Sequence, residues 1–187
     1  MLIKSANKFQ FYPTVSIPFS SRDSSSGLSQ TIGTLGEQLV QAWLNQQGWE
    51  ILSHQYRCRW GEIDLIARKT ADSKPESTVI FVEVKTRKKR NWDEDGLLAI
   101  TATKQAKLIK SAQTFLSDRP QLADFPCRFD VALVRCDRLT VDNSSQDSRS
   151  ITPESSFPTL TLGQPVQWKG YQLILQSYIQ SAFEDER

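Results

Sequence analysis

Cysteine, histidine and methionine are all scarce in this chain of 187 residues, which has three cysteines, one histidine (His54) and one methionine. Cys58, Cys127 and Cys136 are odd in number and form no Cys-x-x-Cys pair. They suit neither a disulfide framework nor a Cys/His zinc centre. The expectation is reduced thiols in a reducing compartment, and hence a cytoplasmic protein. No apolar run approaches the length of a membrane span, so no membrane partner is expected. A secretory signal is not expected either, because the stretch from Phe9 to Phe19 is interrupted by Gln10, Pro13, Ser16 and Pro18. Charge of one sign is lacking too: Lys and Arg number 23 against 21 Asp and Glu, a net +2. Any signal for nucleic acid must therefore be local.

What is present suffices for one domain, since 39% of the residues are hydrophobic. Residues 1–27 are crowded with serine, and Asp23 is their one acid and Arg22 their one arginine. That composition predicts a disordered leader, with an organelle transit peptide as the alternative. Residues 28–187 are expected to form a single domain, interrupted by a mobile, polar, proline-containing excursion at about 137–165.

The domain opens on a helix. Ser29 or Thr31 can cap it, Leu28, Ile32, Leu35, Leu39, Ala42 and Trp43 recur at helical spacing, and Gly48 provides a stop. Glu37 lies off that apolar line, as would a solvated first-turn acid that favours the helix dipole. Short strands are expected at residues 49–52 and 55–59, then a longer one at 62–68. In the longer strand Ile63, Leu65 and Ala67 share one face and Glu62, Asp64 and Ile66 the other. A second helix opens at Thr101 or Thr103 and stops before Pro120, with Ala102, Ala106, Ile109, Ala112 and Leu116 along its seam. A strand at 128–134 follows, and residues 170–183 should return to the core as a strand and a short terminal helix.

The chemistry gathers on the stretch Thr78-Val79-Ile80-Phe81-Val82-Glu83-Val84-Lys85-Thr86-Arg87. Its β-branched residues predict a buried strand, and alternation puts Glu83 and Lys85 on one face, about 7 Å apart. A half-exposed strand with a solvated Glu/Lys face would give the same pattern. If the strand carrying Asp64 is its antiparallel neighbour, all three groups share a face. Two carboxylates with a lysine can bind a divalent cation beside a phosphate. Oxygen donors suit Mg²⁺, the ion can activate water, and the ammonium can stabilise the transition state. The strand leads into Lys85-Thr86-Arg87-Lys88-Lys89-Arg90, followed by Trp92. This run is either a solvated loop or a contact for a phosphate backbone.

Four stretches together resemble the YraN-like proteins, bacterial predicted endonucleases of the PD-(D/E)XK, or restriction-endonuclease-like, superfamily. They are Gly33-x-x-Gly36-Glu37, Gly61-Glu62-Ile63-Asp64-Leu65-Ile66-Ala67, Phe81-Val82-Glu83-Val84-Lys85-Thr86-Arg87 and Arg128-Phe129-Asp130-Val131. The resemblance spans Gly33 to Val134 plus the tail around Gln180-Ser181-Ala182-Phe183. It implies an α/β fold, a central mixed β-sheet flanked by helices. It also implies Asp64 and Glu83 as metal ligands, Lys85 as the catalytic lysine, and Glu37 as the helix acid that assists the metal site. Glu62 matches the motif without a role following for it, and Gln105 is similar to a helix glutamine of some related nucleases.

The function implied is a Mg²⁺-dependent endonuclease acting on DNA rather than RNA, with Mn²⁺ able to substitute and with a structure-specific or junction-resolving role as one form. Arg57, Arg59, Arg87, Lys88, Lys89 and Arg90 would hold the nucleic acid. Related resolvases work as dimers, so a homodimer is a possible form. Two other readings use the same residues: a nucleic-acid-binding module without turnover, and a protein-interaction domain acting through residues 137–165. The leader and that excursion are not part of the family pattern.

Overall fold

The computed structural model describes residues 26–69, 77–88, 100–139 and 157–184. The chain runs α1 (Ser26–Gln46), β1 (Glu50–Cys58), β2 (Gly61–Lys69), β3 (Thr78–Arg87), α2 (Ala102–Ser117), a single 3₁₀ turn at Pro120–Leu122, β4 (Cys127–Arg138), β5 (Pro165–Trp168) and β6 (Tyr171–Phe183). The six strands form one mixed sheet in the order β1-β2-β3-β4-β6-β5, in which only the β3–β4 pair is parallel. The α/β expectation holds, and so does the antiparallel pairing of the strands bearing Asp64 and Glu83.

Alternation along β3 divides the core in two. Ile80 and Val82 face α1, where Leu35, Leu39, Val40 and Leu44 cover them. Val79 and Phe81 face α2, where Leu108, Ala112 and Phe115 do so. With one helix on each face, residues of β3 are buried on both sides, which explains its nearly continuous apolar run. Phe81 stacks on Phe129 of the parallel neighbour and meets Phe115 of α2 edge-on.

The boundaries differ from expectation in four places. The first helix begins at Ser26, inside the last two residues assigned to the leader; helix ends are defined only to a residue or two. Residues 1–25 lie outside the described residues. The two short strands expected at 49–52 and 55–59 are one strand, β1, because Gln55 adopts φ 50° and the ladder continues past it. The terminal helix is instead the end of β6, where Ser181 at φ 48° disturbs the alternation without ending the strand. Both ends of the stretch expected to be a mobile excursion, 137–165, fall among described residues. β4 runs to Arg138, and the Gln46 side chain donates to the Pro158 carbonyl and accepts from the Leu160 N–H. Phe157 stacks on Trp168 at 4.1 Å, and residues 140–156 lie outside the described residues.

Candidate metal and phosphate site

The expected face pattern of β2 fails at the residue that matters most. Ile63 packs with Ile66 on the α2 side, while Leu65 and Ala67 pack on the α1 side. The reason is Asp64. Pairing of β2 with β3 begins at Leu65↔Val82, and at the next position the Asp64 side chain replaces a ladder carbonyl, its Oδ2 accepting the Val84 N–H at 2.7 Å. Alternation is therefore broken and the two strands part, with Asp64 in the fork and Glu83 beside it on β3.

Glu83 is only 4% exposed. Lys85, two residues along the same strand, donates to its Oε1 at 2.7 Å. Lys104, in the first turn of α2, lies 3.2 Å from Oε2 but not in hydrogen-bonding geometry, so Oε2 is buried without a hydrogen bond. Lys104 is held there because Thr101 caps α2, its hydroxyl accepting the Lys104 N–H at 3.3 Å. Burial, the neighbouring Glu83 and the more distant Glu37 push the Asp64 carboxyl up to about 7, against the opposing pull of the Val84 N–H and Lys104. Val131 and Leu133 stand in register with Glu83 and Lys85 on β4 and supply an apolar wall.

Glu37 approaches from α1. The helix comes close to β3 because residue 36 is glycine: a Cβ there would fall inside the Thr86 hydroxyl. The next residue, Glu37, is held through one oxygen. His54 Nε2 lies 3.1 Å from Oε2 and Gln55 Nε2 donates to it at 2.8 Å. Two consecutive strand residues normally point to opposite faces. The left-handed φ of Gln55, uncommon outside glycine, brings both to one carboxylate. It falls between the pairs His54↔Leu65 and Tyr56↔Ile63, opposite Asp64, so both strands depart from regularity at the same level.

The other expected site residues are more peripheral. Arg57 pairs with Glu62 at 3.2 Å, both exposed. Arg59 lies over the Trp60 ring at 4.7 Å. Arg87 and Lys88 are exposed where β3 ends, and Lys89 and Arg90 lie outside the described residues. Gln105 places its amide on the Ile100 carbonyl, closing the turn before α2. Among the described residues no three His, Cys, Asp or Glu side chains form a ready-made metal cage. Asp64, Glu83 and Glu37 are instead two neighbouring acids and a third on the adjoining helix. Reading the sequence missed Lys104, His54 and Gln55. A signal existed for Lys104 alone, as the first cation after the capping Thr101.

A model of the uncharacterised protein family UPF0102 matches residues 36–134. The chain belongs to UPF0102. The match runs from the glycine under Thr86 to the end of the β4 core, and so contains Glu37, Asp64, Glu83, Lys85 and Lys104. UPF0102 is the YraN-like group related to PD-(D/E)XK nucleases. A UPF0102 protein of Trichodesmium erythraeum (strain IMS101) is 50% identical over 171 residues, 87% of this chain and 95% of the relative. One from Acaryochloris marina (strain MBIC 11017) is 44% identical over 171 residues, 89% and 97% of the two chains. Another, from Synechocystis sp. (strain ATCC 27184 / PCC 6803 / Kazusa), is 42% identical over 153 residues, 81% and 97%. Similarity to these UPF0102 proteins therefore extends beyond the family core.

Proposed function

We propose that this UPF0102 protein is a Mg²⁺-dependent endonuclease that hydrolyses DNA phosphodiesters, with Mn²⁺ able to replace Mg²⁺. The observation that carries the reading is the Asp64–Glu83 pair. Two acids sit together in a fork of the sheet, one of them raised to about 7 and the other buried with an oxygen lacking a hydrogen bond. Carboxylate oxygens are the hard donors that Mg²⁺ takes, so the pair fits the ion. Asp64 and Glu83 would hold it, with Glu37 assisting from α1. Once bound, the ion supplies Lewis-acid charge at the phosphate.

The remaining work falls to the chain's own groups. Lys85 and Lys104 neutralise Glu83 in the absence of other cations. With a cation on Glu83 they are free to turn to the phosphate, where their N–H groups stabilise the charge that builds on its oxygens. Water adds to phosphorus, the bond to the leaving oxygen breaks, and a water proton ends on that oxygen. His54 and Gln55 hold Glu37 in one orientation, and Val131 and Leu133 exclude solvent from one side. Arg57, Arg59, Arg87, Lys88, Lys89 and Arg90 are assigned to the DNA backbone. A homodimer would present two such sites to a branched substrate.

The test is cleavage of branched, flapped and duplex DNA by purified protein with Mg²⁺ or Mn²⁺. Wild type should cut at least one substrate, and Lys85→Ala should lose about 10²–10³-fold in rate; equal cutting by the variant would overturn the reading. The engagement of Glu83 by two of the protein's own lysines favours one alternative, a nucleic-acid-binding module that retains the fold without turnover. Under that alternative, calorimetry shows no divalent-ion binding that depends on Asp64.

A further inference from the structure

The turn between β1 and β2 carries a feature that the carboxylate site does not use. Trp60 holds two cations over its ring, Arg59 with Cζ 4.7 Å from the centroid and Lys110 with Nζ at 4.6 Å. Arg59 is its neighbour in sequence, whereas Lys110 arrives from α2. The two elements are tied together alongside, where the Cys58 thiol donates to the buried Ser111 hydroxyl at 3.3 Å. Among the described residues neither Arg59 nor Lys110 has a carboxylate at ion-pair distance.

Two cations over one ring lie within a Debye length of each other, ~10 Å at 0.1 M salt, and repel. The ring returns little to each at an exposed position. The arrangement therefore concentrates positive charge without cancelling it, and an anion placed against both groups would relieve the repulsion. The position of the ring says which anion. Trp60 is four residues from Asp64, about 13 Å along an extended strand. Lys110 is six residues from Lys104, about 9 Å along the helix, and Lys104 touches Glu83. Exposed Lys107 lies between them at helical spacing. A row of cations thus leads from the acid pair to the ring, a length of about three or four nucleotides at 3.4 Å each.

We propose that Arg59 and Lys110, gathered on Trp60, form a clamp for a backbone phosphate of DNA, three or four nucleotides from the phosphate addressed by Asp64 and Glu83. The proposal rests on the nucleic-acid part of the functional reading and not on cleavage. Arg59 becomes one half of a two-element device, while Lys107, Lys110 and Trp60 acquire roles that their sequence positions do not suggest.

The experiment is fluorescence anisotropy of labelled flapped DNA with the full chain, without divalent ions, between ~50 and ~200 mM salt. The double variant Arg59→Gln/Lys110→Gln should reduce the slope of log K against log salt by about one to two, and weaken binding roughly tenfold at ~100 mM salt. Trp60→Leu should weaken binding in the same direction by releasing both cations. Lys110→Gln alone, on the exposed side of a helix, keeps the test in force should the double variant fail to fold, and should lower the slope by about one. Unchanged slope and affinity in a folded double variant, or in Lys110→Gln, overturn the clamp. A wild type that binds no DNA under these conditions overturns the clamp, whereas the nuclease reading stands or falls on the cleavage test with Mg²⁺ or Mn²⁺. A wild type that binds but never cuts, with the slope falling in the variants, overturns the nuclease reading and supports the clamp.

Discussion

Two places in this sheet bury carboxylates, and they are built in opposite ways. Asp130, 1% exposed on β4, is surrounded by donors. Arg128 Nε reaches both of its oxygens at 3.0 and 3.1 Å, the Tyr178 hydroxyl donates at 2.7 Å and the Ser181 N–H at 3.0 Å. One negative charge meets three donor groups, and the result ties β4 to the irregular end of β6. In the fork of β2 and β3 two acids share fewer hydrogen bonds: Lys85 donates to Glu83, and Lys104 lies beside it without donating. Asp64 has one backbone donor and an acid for a neighbour, and Glu83 leaves an oxygen without a hydrogen bond. Burial alone therefore does not set how well a carboxylate is satisfied. The balance of charges and donors around it does.

The sharpest way to break that comparison is to remove each acid in turn. Asp130→Ala leaves Arg128 unpaired beside the core and should cost about 3–5 kcal/mol, seen as a large fall in Tm. Asp64→Asn should do the reverse near pH 8 and raise the Tm of metal-free protein. A loss of stability in Asp64→Asn as large as that in Asp130→Ala would make the fork structural.

Next in size is the pH dependence. The folded carboxyl of Asp64, at about 7, lies above its ordinary value of 3.8. The folded state thus holds its proton more tightly than the unfolded chain. The stability this provides is complete below about pH 4 and is lost as pH rises through about 7, on the order of a few kcal/mol. Melting curves of metal-free wild type should decline over that window and those of Asp64→Asn should not share the decline. Adding Mg²⁺ at pH 8 should restore wild type selectively.

Smaller effects separate the groups around the acids. Lys104→Met should lower cleavage by about 10–10²-fold, less than Lys85→Ala, with the Tm little changed; an unchanged rate would confine Lys104 to neutralising Glu83. Gln55→Gly relaxes a left-handed φ that costs a non-glycine residue about 1–2 kcal/mol, offset in part by glycine's own entropy loss, yet it releases one of the two groups holding Glu37. Stability should hold or rise slightly while activity falls. Activity that follows stability upward would sever Gln55 from the site.

Much of this architecture is legible in the residues. The β-branched run of β3, the Thr101 cap and the helical seams place the layers, and the Glu83/Lys85 spacing with Asp64 on the preceding strand places the acid pair. What escapes is whatever depends on local departure from regularity. Nothing in the identity of Gln55 or Ser181 announces a left-handed φ, so β1 reads as two strands and the end of β6 as a helix. Strict alternation puts Ile63 with Leu65, because it cannot anticipate a side chain taking the place of a ladder carbonyl. Lys104 reaches Glu83 only through the packing of α2 on the sheet, which its helical spacing does not encode.

The central claim is that Asp64 and Glu83 form a site for a divalent cation, whereas Asp130 is complete without one. Isothermal titration of Mn²⁺ into wild type, Asp64→Asn and Glu83→Gln at pH 8 tests it directly. Saturable binding in wild type that is lost in both variants is the predicted result; no binding in wild type, or equal binding in all three, would contradict it.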